Sequence, residues 1–445
     1  MNMFSTNELM QLFPKQQNAE TNVVIEEVFR DSRQTVTNGL FIPIIGENFD
    51  GHAFISQAIE QGAVATLSSR TDLEGIPEDF PVFFVEDTVE ALQQLASFYC
   101  ERVDPVVVGI TGSNGKTTTK EIVSNCLATS YKVWKTEGNL NNHIGLPLTV
   151  LSMATDTEAL ILEMGMSNFG EIEELSHIVK PDYAIITNIG ESHIEYLGSR
   201  EGIAKAKLEI TSGLKDDGLV FIDGDEPLLK EAERQVSCGF SPVHDYYISE
   251  VEQMDEHTSF NLNGEPIQIP LLGKHQAKNA AYAFALSDKL GISISEVKHA
   301  LEQLTLPSMR FEQHKAENGS VLINDAYNAS ATSMMASIDV LKHMNYTTRI
   351  VVLGDILELG PFSEQEHKKV GEVMDDSIDA VYTVGDASEY ILKGIPDRFN
   401  GEVMHFDDKN KLIPYLRTKM EDHTAILFKA SRGLMLEEVV NQLLK

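Results

Sequence analysis

Short apolar runs, each closed by a glycine or an acidic residue and followed by a stretch with helical spacing of its apolar positions, recur through most of the chain. Runs over residues 106–110, 159–162 and 183–187 predict buried strands, and the segments between them carry the 3.6-residue period of amphipathic helices. Strands alternating with helices in this way predict a parallel sheet. Beyond them, "VHDYYISEVEQMDEHTSFNLNGEPIQIPLLG" predicts short antiparallel strands with an Asn-Gly turn, an appendage on that sheet. A second alternating series begins near Met309, with "VLIND", "RIVVLGD", "AVYTVG" and "AILFKAS" as its strands. Ahead of both, "GLFIPI" predicts a strand, "GENFDGHAFI" a loop and "FISQAIEQGA" a helix ending at Gly62. The pattern predicts an α/β protein of three units: a small mixed one over residues 1–103, a central one over 104–307, and a third over 308–445.

The chain has 445 residues, room for about three domains of ordinary size. The net charge of −33 is spread along the chain and argues against non-specific binding of nucleic acid, which needs surplus lysine and arginine. No apolar stretch reaches the roughly eighteen residues of a membrane span, and "MNMFSTNELMQLFPKQQ" lacks the basic-then-apolar order of a secretion signal. Cys100, Cys126 and Cys238 are odd in number and unpatterned, which predicts free thiols in a reducing compartment. These features predict a cytoplasmic protein in which any phosphate-bearing ligand is held by local positive charge.

That charge has an obvious place to gather. In "VVVGITGSNGKTTTKEI" a buried strand runs into Gly112 and Gly115 and then into a helix. This is the layout in which backbone N–H groups at a helix N-terminus receive phosphate. The strict loop pattern asks for a glycine where Ile110 stands. Lys116 is placed to reach the outer phosphates and the Thr117 hydroxyl to meet Mg²⁺.

Glu163 and His193 follow the next two strands, so both leave the sheet at the edge that carries the glycine loop. Carboxylate is a suitable ligand for magnesium and imidazole a less usual one. In "REGIAKAKLEITSG", at about 100° per residue from Ile203, Ile210 falls at about 340° and Lys207 at about 40°, inside the apolar stripe. Lys205, at about 200°, faces solvent. An inward lysine either snorkels to the surface or loses its proton through burial.

The loop from Thr111 to Thr118, with "EGNLNNHIGLP", "EMG", "NIGESHIEYLGS" and "AKAKLEI", resembles the Mur ligase family, whose phosphate loop omits that first glycine. Further stretches, "DSR...LFIPIIGENFDGHAFISQA", "DAYNASATSMMASIDVL" and "VVLGDILELG", resemble the branch of the family that adds D-alanyl-D-alanine, and the likeness spans essentially the whole chain. It implies a UDP-sugar-binding domain, a central ATPase domain and a Rossmann-like C-terminal domain. It also implies an ADP-forming reaction in which ATP phosphorylates the terminal carboxylate of a UDP-muramoyl-tripeptide and the amine of D-alanyl-D-alanine attacks the acyl phosphate. On this likeness ATP is bound by Gly112, Ser113, Asn114, Gly115, Lys116, Thr117 and Thr118, with Asn279, Arg310, Asp325, Asn328 and Asp355. Thr117, Glu163, His193 and a carbamylated Lys207 hold two magnesium ions, and Lys116, Lys207 and His193 carry the catalysis. Ser32, Arg33, Glu47, Asn48 and Phe49 meet the uridine diphosphate. Asn139 and Asn142 line the phosphate and metal region on the peptide side, and Lys429, Ser431 and Arg432 meet the incoming peptide. Gly273 and His275 match the adenine-side motif, whereas Gln276, Ala331 and Ala430 depart from the usual asparagine, proline and glycine.

The resemblance implies small-molecule substrates; the acidic balance and the lack of an apolar span predict no nucleic-acid partner and no membrane insertion, and a monomer is expected. A nucleotide switch built on the glycine loop, a folylpolyglutamate-type ligase and another Mur-type ligase are the competing readings. The first leaves Glu163, His193 and Lys207 without a purpose, the second lacks the "DSR...DGH" module, and a ligase adding the third residue would show Asp-Asn-Pro-Arg.

Overall fold

The computed structural model describes residues 3–230 and 234–445. Among them three sheets, each mostly parallel and flanked by helices, make an α/β fold of three units. The first sheet runs Gln16–Gln17, Val82–Phe84, Ala63–Ser68, Gly39–Phe41, Glu27–Phe29, and only its first pair is antiparallel. The strand expected over 39–44 ends at Phe41, because Pro43 has no N–H for a ladder. The following loop closes on a single bridge between Ile45 and Asp50 and enters the helix Ile55–Glu60.

The helix Thr88–Val103 begins where the Asp87 carboxylate accepts the N–H groups of Val89 and Glu90. It lies in sequence with the first unit but packs on the central helices Gly145–Leu151 and Glu171–Val179. The Tyr99 hydroxyl donates to the Met153 carbonyl at 2.9 Å. The first unit is thus joined to the second by a helix whose apolar face is packed on it, not by a free tether.

The central sheet, nine strands among the described residues, runs Glu265–Ile269, Thr258–Leu262, Tyr246–Gln253, Gln235–Gly239, Leu219–Asp223, Tyr183–Ile186, Val106–Thr111, Ala159–Glu163, Val133–Lys135. The Asn263-Gly264 turn, with φ of 50° and 86°, joins the predicted antiparallel pair. Register is what sets the site. Glu163 pairs with Ile110 and Ile186 with Thr111, so three strand ends reach one edge at the same level. The third sheet runs Glu312–Lys315, Val321–Asn324, Thr424–Lys429, Thr348–Gly354, Ala380–Val384, Glu402–Phe406 and is antiparallel only at its first pair.

The third unit is docked on the second through polar contacts. The Arg310 guanidinium donates to the Thr117 hydroxyl at 3.0 Å, the Ser330 hydroxyl to Asn114 Oδ1 at 3.0 Å, and the Thr332 hydroxyl to the Glu191 carboxylate at 2.8 Å. Among the described residues no helix is long and apolar enough to cross a membrane.

Candidate active site

The strand Val106–Thr111 delivers the chain into Gly112 at φ 148°, and a Cβ there would lie 1.8 Å from the Thr187 hydroxyl. Only glycine lets the loop approach the neighbouring strand this closely. Gly115, at φ 79°, then turns the chain into the helix Lys116–Leu127. The neighbouring strand end holds the loop in place. Asn188 accepts the N–H of Ser113 at its carbonyl (3.1 Å) and that of Asn114 at its side-chain oxygen (3.0 Å), while Thr187 and Asn188 donate to the Asn114 carbonyl. Two of the loop amides expected to face phosphate are therefore occupied. The free donors of the first helical turn, from Lys116 onward, are what the loop offers an anion. The Lys116 ammonium donates to the Gly112 carbonyl at 2.8 Å.

Thr117 is the centre of the next layer. Its hydroxyl donates to Glu163 Oε2 at 2.9 Å and accepts from Arg310. Glu163 is buried, and its other oxygen accepts from Asn141 at 2.9 Å. Lys207, in the helix Arg200–Leu208, is 2% exposed, while Lys205 lies in the open with its ammonium over the Phe169 ring. Burial, and after it the Lys116 ammonium, drive the Lys207 pKa well below the ordinary lysine value. The inward placement expected from the helical period is the one observed. His193 opens the short helix Ile194–Leu197 at φ 64°, and its Nδ1 lies 2.5 Å from the Glu358 carboxylate of the third unit. The imidazole holds the Glu358 carboxyl below the usual range.

From the third unit, Arg310 stacks on the Tyr327 ring, 4.1 Å from its centroid. Asp325 receives the buried Lys429 ammonium at 2.6 Å, the Ser337 hydroxyl at 2.6 Å and the Phe311 N–H at 3.2 Å. Lys429 also donates to the Asn328 carbonyl at 3.3 Å. Asn279, in the helix Lys274–Lys289, donates to Gln276 at 2.9 Å, so the glutamine that departs from the family pattern keeps the asparagine oriented. Ala331 takes the first position of the helix Ala331–Lys342 behind the Ser330 cap, a place as suited to alanine as to proline.

These side chains enclose one cavity of about 950 Å³, lined by Ser113 to Thr118, Asn142, Glu163, His193, Lys207, His275, Asn279, Arg310, Asp325, Asn328 and Lys429. Other expected residues lie outside its lining. Asp355 ends its strand with a carboxylate that accepts the N–H groups of Ala387 (3.0 Å) and Ser388 (2.7 Å). The Ser431 hydroxyl accepts the Leu357 N–H, and Arg432 pairs with Glu437 at 2.6 Å. Asn139 is an exposed turn residue. Ser32 donates to Gln57 at 2.9 Å, Arg33 pairs with Asp31, and Glu47 to Phe49 form an exposed turn of the first unit. Asn141, Tyr327, Ser337 and Glu358 were not legible as site residues. Asn141 sits among three asparagines of "NLNN", and only the fold shows which one meets Glu163.

Among the described residues no group of three or more His, Cys, Asp and Glu side chains converges as a ready metal centre. The Thr117 hydroxyl and Glu163 carboxylate, in contact with each other, are nevertheless the hard oxygen donors that magnesium prefers. Lys207 would add an anionic oxygen only as a carbamate.

Three family models match consecutive stretches: the Mur ligase family catalytic domain over residues 24–99, the Mur ligase middle domain over 110–287, and the Mur ligase glutamate ligase domain over 309–432. A curated relative, UDP-N-acetylmuramoyl-tripeptide--D-alanyl-D-alanine ligase of Bacillus subtilis, is 46% identical over 432 residues, covering 95% of this chain and 94% of its own. The crystal structure of MurF from Acinetobacter baumannii superposes with a TM-score of 0.89 at 28% identity, covering 99% of this chain and 98% of that one. MurF from Thermotoga maritima in complex with ADP gives 0.83 at 30% identity, covering 94% and 97%.

The hydrogen bonds of Asp355 give it a bracing role that a nucleotide contact does not require. Asp355→Ala is expected to lower stability by about 1–3 kcal/mol, the cost of stranding its donors, and to leave nucleotide affinity within about twofold. Urea unfolding and calorimetric titration with ADP measure the two; a tenfold loss of affinity would return Asp355 to the nucleotide site.

Proposed function

The chain belongs to the Mur ligase family, and we propose that it joins D-alanyl-D-alanine to a UDP-N-acetylmuramoyl-tripeptide in an ATP-dependent, ADP-forming reaction, completing the pentapeptide precursor of peptidoglycan. The observation that carries this reading is the single cavity in which the loop lysine Lys116, the buried Glu163 and the buried Lys207 face Arg310 and Lys429 of the third unit. A switch needs only the loop; a ligase needs cations from two sides, because two anions must meet.

A carboxylate at neutral pH repels both nucleophiles and phosphate. In the proposed reaction a carboxylate oxygen attacks the γ-phosphorus, the bond to the β-phosphate oxygen breaks, and ADP departs. The D-alanyl-D-alanine amine then attacks the acyl carbon, the amide forms, and inorganic phosphate leaves with the electron pair of the broken C–O bond and takes up the proton that the nitrogen gives up. Lys116 and the first-turn amides hold the outer phosphates. Arg310, fixed by the Tyr327 face and the Thr117 hydroxyl, adds positive charge from the opposite wall. Thr117 and Glu163 would hold one magnesium ion, and His193 with a carbamylated Lys207 a second; bound there, magnesium supplies charge neutralisation of the phosphates. Asn279 lies on the nucleotide side, Asn328 and Asp325 beside Lys429. We assign residues 1–103 to the UDP-sugar, with Ser32, Arg33 and the turn of Glu47 to Phe49 as its contacts, 104–307 to ATP and 308–445 to closure. On this reading the chain acts as a monomer in the cytoplasm, where the nucleotide-linked precursor is assembled.

Phosphate release is expected only when both UDP-muramoyl-tripeptide and D-alanyl-D-alanine are present, with ADP and not AMP as co-product. Brisk hydrolysis of ATP alone would favour the switch.

Arg310→Ala removes the cation that crosses to Thr117. Turnover should fall by about 100-fold, a magnitude typical of losing one preorganised charge, while the circular dichroism spectrum stays unchanged. Full activity in this variant would end the bridging role.

Lys207→Ala should fold and bind ATP yet lose most turnover, with partial recovery on adding a small carboxylic acid. Lys205→Ala should be nearly silent. Equal losses in the two variants, or indifference of the wild type to removal and return of bicarbonate, would exclude the carbamate.

A further inference from the structure

Lys120 is, with Lys207, among the largest side chains that the fold buries, yet no step assigned above uses it. It lies one turn beyond Lys116 in the helix Lys116–Leu127 and stays outside the cavity lining. Its ammonium donates to the Thr136 carbonyl at 2.5 Å and pairs with the Glu121 carboxylate at 3.0 Å. Lys135 meets the other Glu121 oxygen at 2.5 Å. An ammonium taken out of water costs free energy that an apolar side chain in the same place would not. The reason for it therefore lies in what it holds.

Thr136 follows the edge strand Val133–Lys135 and is itself buried. Its N–H continues the parallel ladder to the Ile161 carbonyl at 3.0 Å. One step further, continued pairing would give the Glu163 N–H a main-chain carbonyl of this strand. That N–H goes instead to the Thr136 hydroxyl at 3.0 Å, while the Thr136 carbonyl is taken by Lys120. The ladder stops there, and the chain leaves the sheet as the segment 137–142. Within it Asn141 donates its side-chain N–H to Glu163 Oε1 at 2.9 Å, and its carbonyl accepts the Gly165 N–H at 2.8 Å. Thr136 and Asn141, which fix Glu163 from this side, both depend on the point where Lys120 takes the carbonyl.

We propose that Lys120 is a positioning residue for Glu163: by taking the Thr136 carbonyl it leaves the Thr136 hydroxyl to the Glu163 main chain and starts the segment that carries Asn141 to the Glu163 side chain. The carboxylate is set against Thr117 by the same helix that carries Thr117, so the two oxygen donors keep their relative place. The pair of Glu121 and Lys135 completes the clamp between helix and strand. The proposal rests on the reading that Thr117 and Glu163 hold a magnesium ion beside the nucleotide.

Calorimetric titration of the full-length protein with ADP, without Mg²⁺ and over a series of Mg²⁺ concentrations, separates positioning from plain support. Lys120→Met keeps the apolar stem and leaves Glu121 its Lys135 partner, so the variant is expected to fold, which circular dichroism checks. Its affinity for ADP alone should stay within about twofold of wild type, while the Mg²⁺ concentration that brings half of the gain in ADP affinity should rise at least about tenfold, the usual effect of losing a ligand's orienting partner. An unchanged Mg²⁺ requirement, or an equal loss of ADP affinity with and without Mg²⁺, would overturn the proposal and leave the ligand reading intact. Where Lys120→Met does not fold, Thr136→Val decides. It removes only the hydroxyl that takes the Glu163 N–H, and an unchanged Mg²⁺ requirement there would refute the route through Thr136. Glu163→Ala should abolish the gain from Mg²⁺ outright; a gain that survives in it would instead sink the ligand reading beneath, whatever Lys120→Met shows.

Discussion

One hydroxyl stands where the two halves of the cavity meet. Thr117 donates to Glu163 on its own sheet and accepts from Arg310 of the third unit. A hydroxyl has one hydrogen to give and lone pairs to receive, so it suits a junction between an anion and a cation that must lie close without neutralising each other. Were the two charges in direct contact, Arg310 would be committed to a salt bridge and less available to a phosphate. The rest of the arrangement follows from keeping that junction in place. The register of three strands brings Glu163 level with the loop, the glycines let the loop lie against Thr187, and Tyr327 supports the guanidinium from behind.

Much of this was legible because burial leaves a plain pattern. Strands covered on both faces read as unbroken apolar runs, and the three whose ends make the site were found within a residue or two. Some of the strands that escaped notice were edge ones, such as Glu402–Phe406 and Glu312–Lys315, where charged side chains break the apolar run; others, such as Leu219–Asp223 and Ala63–Ser68, are interior and buried but short, and a short apolar run does not separate strand from helix. Lys207 was legible for the opposite reason, as a polar residue that breaks an apolar stripe.

The residues hardest to read were those whose roles depend on contacts between distant segments. Asp325 and Asp355 look alike in sequence, each following an apolar strand of the third unit. In space Asp325 meets Lys429 and lines the cavity, whereas Asp355 turns to the amides of Ala387 and Ser388. Nothing local separates them; the neighbours that decide come from more than thirty residues away, at the ends of other strands. Glu358 eluded the sequence for the same reason, since its partner lies in another unit.

The charges of the cavity also explain how an acidic chain can handle anionic reactants. Lys429 has Asp325, and Lys278, also on the cavity wall, has both Asp223 and Asp225. These pairs give local order but little net attraction for phosphate. Lys116 and Arg310 differ: their partners in the cavity are a carbonyl, a hydroxyl and an aromatic face, all neutral. Neither is tied up in a direct ion pair, and although burial lowers the Lys116 pKa, the Glu163 carboxylate opposes that shift; both can act on a ligand in a site where the enclosing protein lowers the dielectric screening. Lys207 fits neither group. It is buried, and the charge that most affects it is the ammonium of Lys116, which repels its own. Burial lowers the pKa of both lysines, that of Lys207 well below the ordinary value, and at Lys116 the Glu163 carboxylate works against the shift. The carboxylate thus favours the loop lysine as the cation that meets phosphate, while deeper in the cavity chemistry rather than attraction has to account for Lys207.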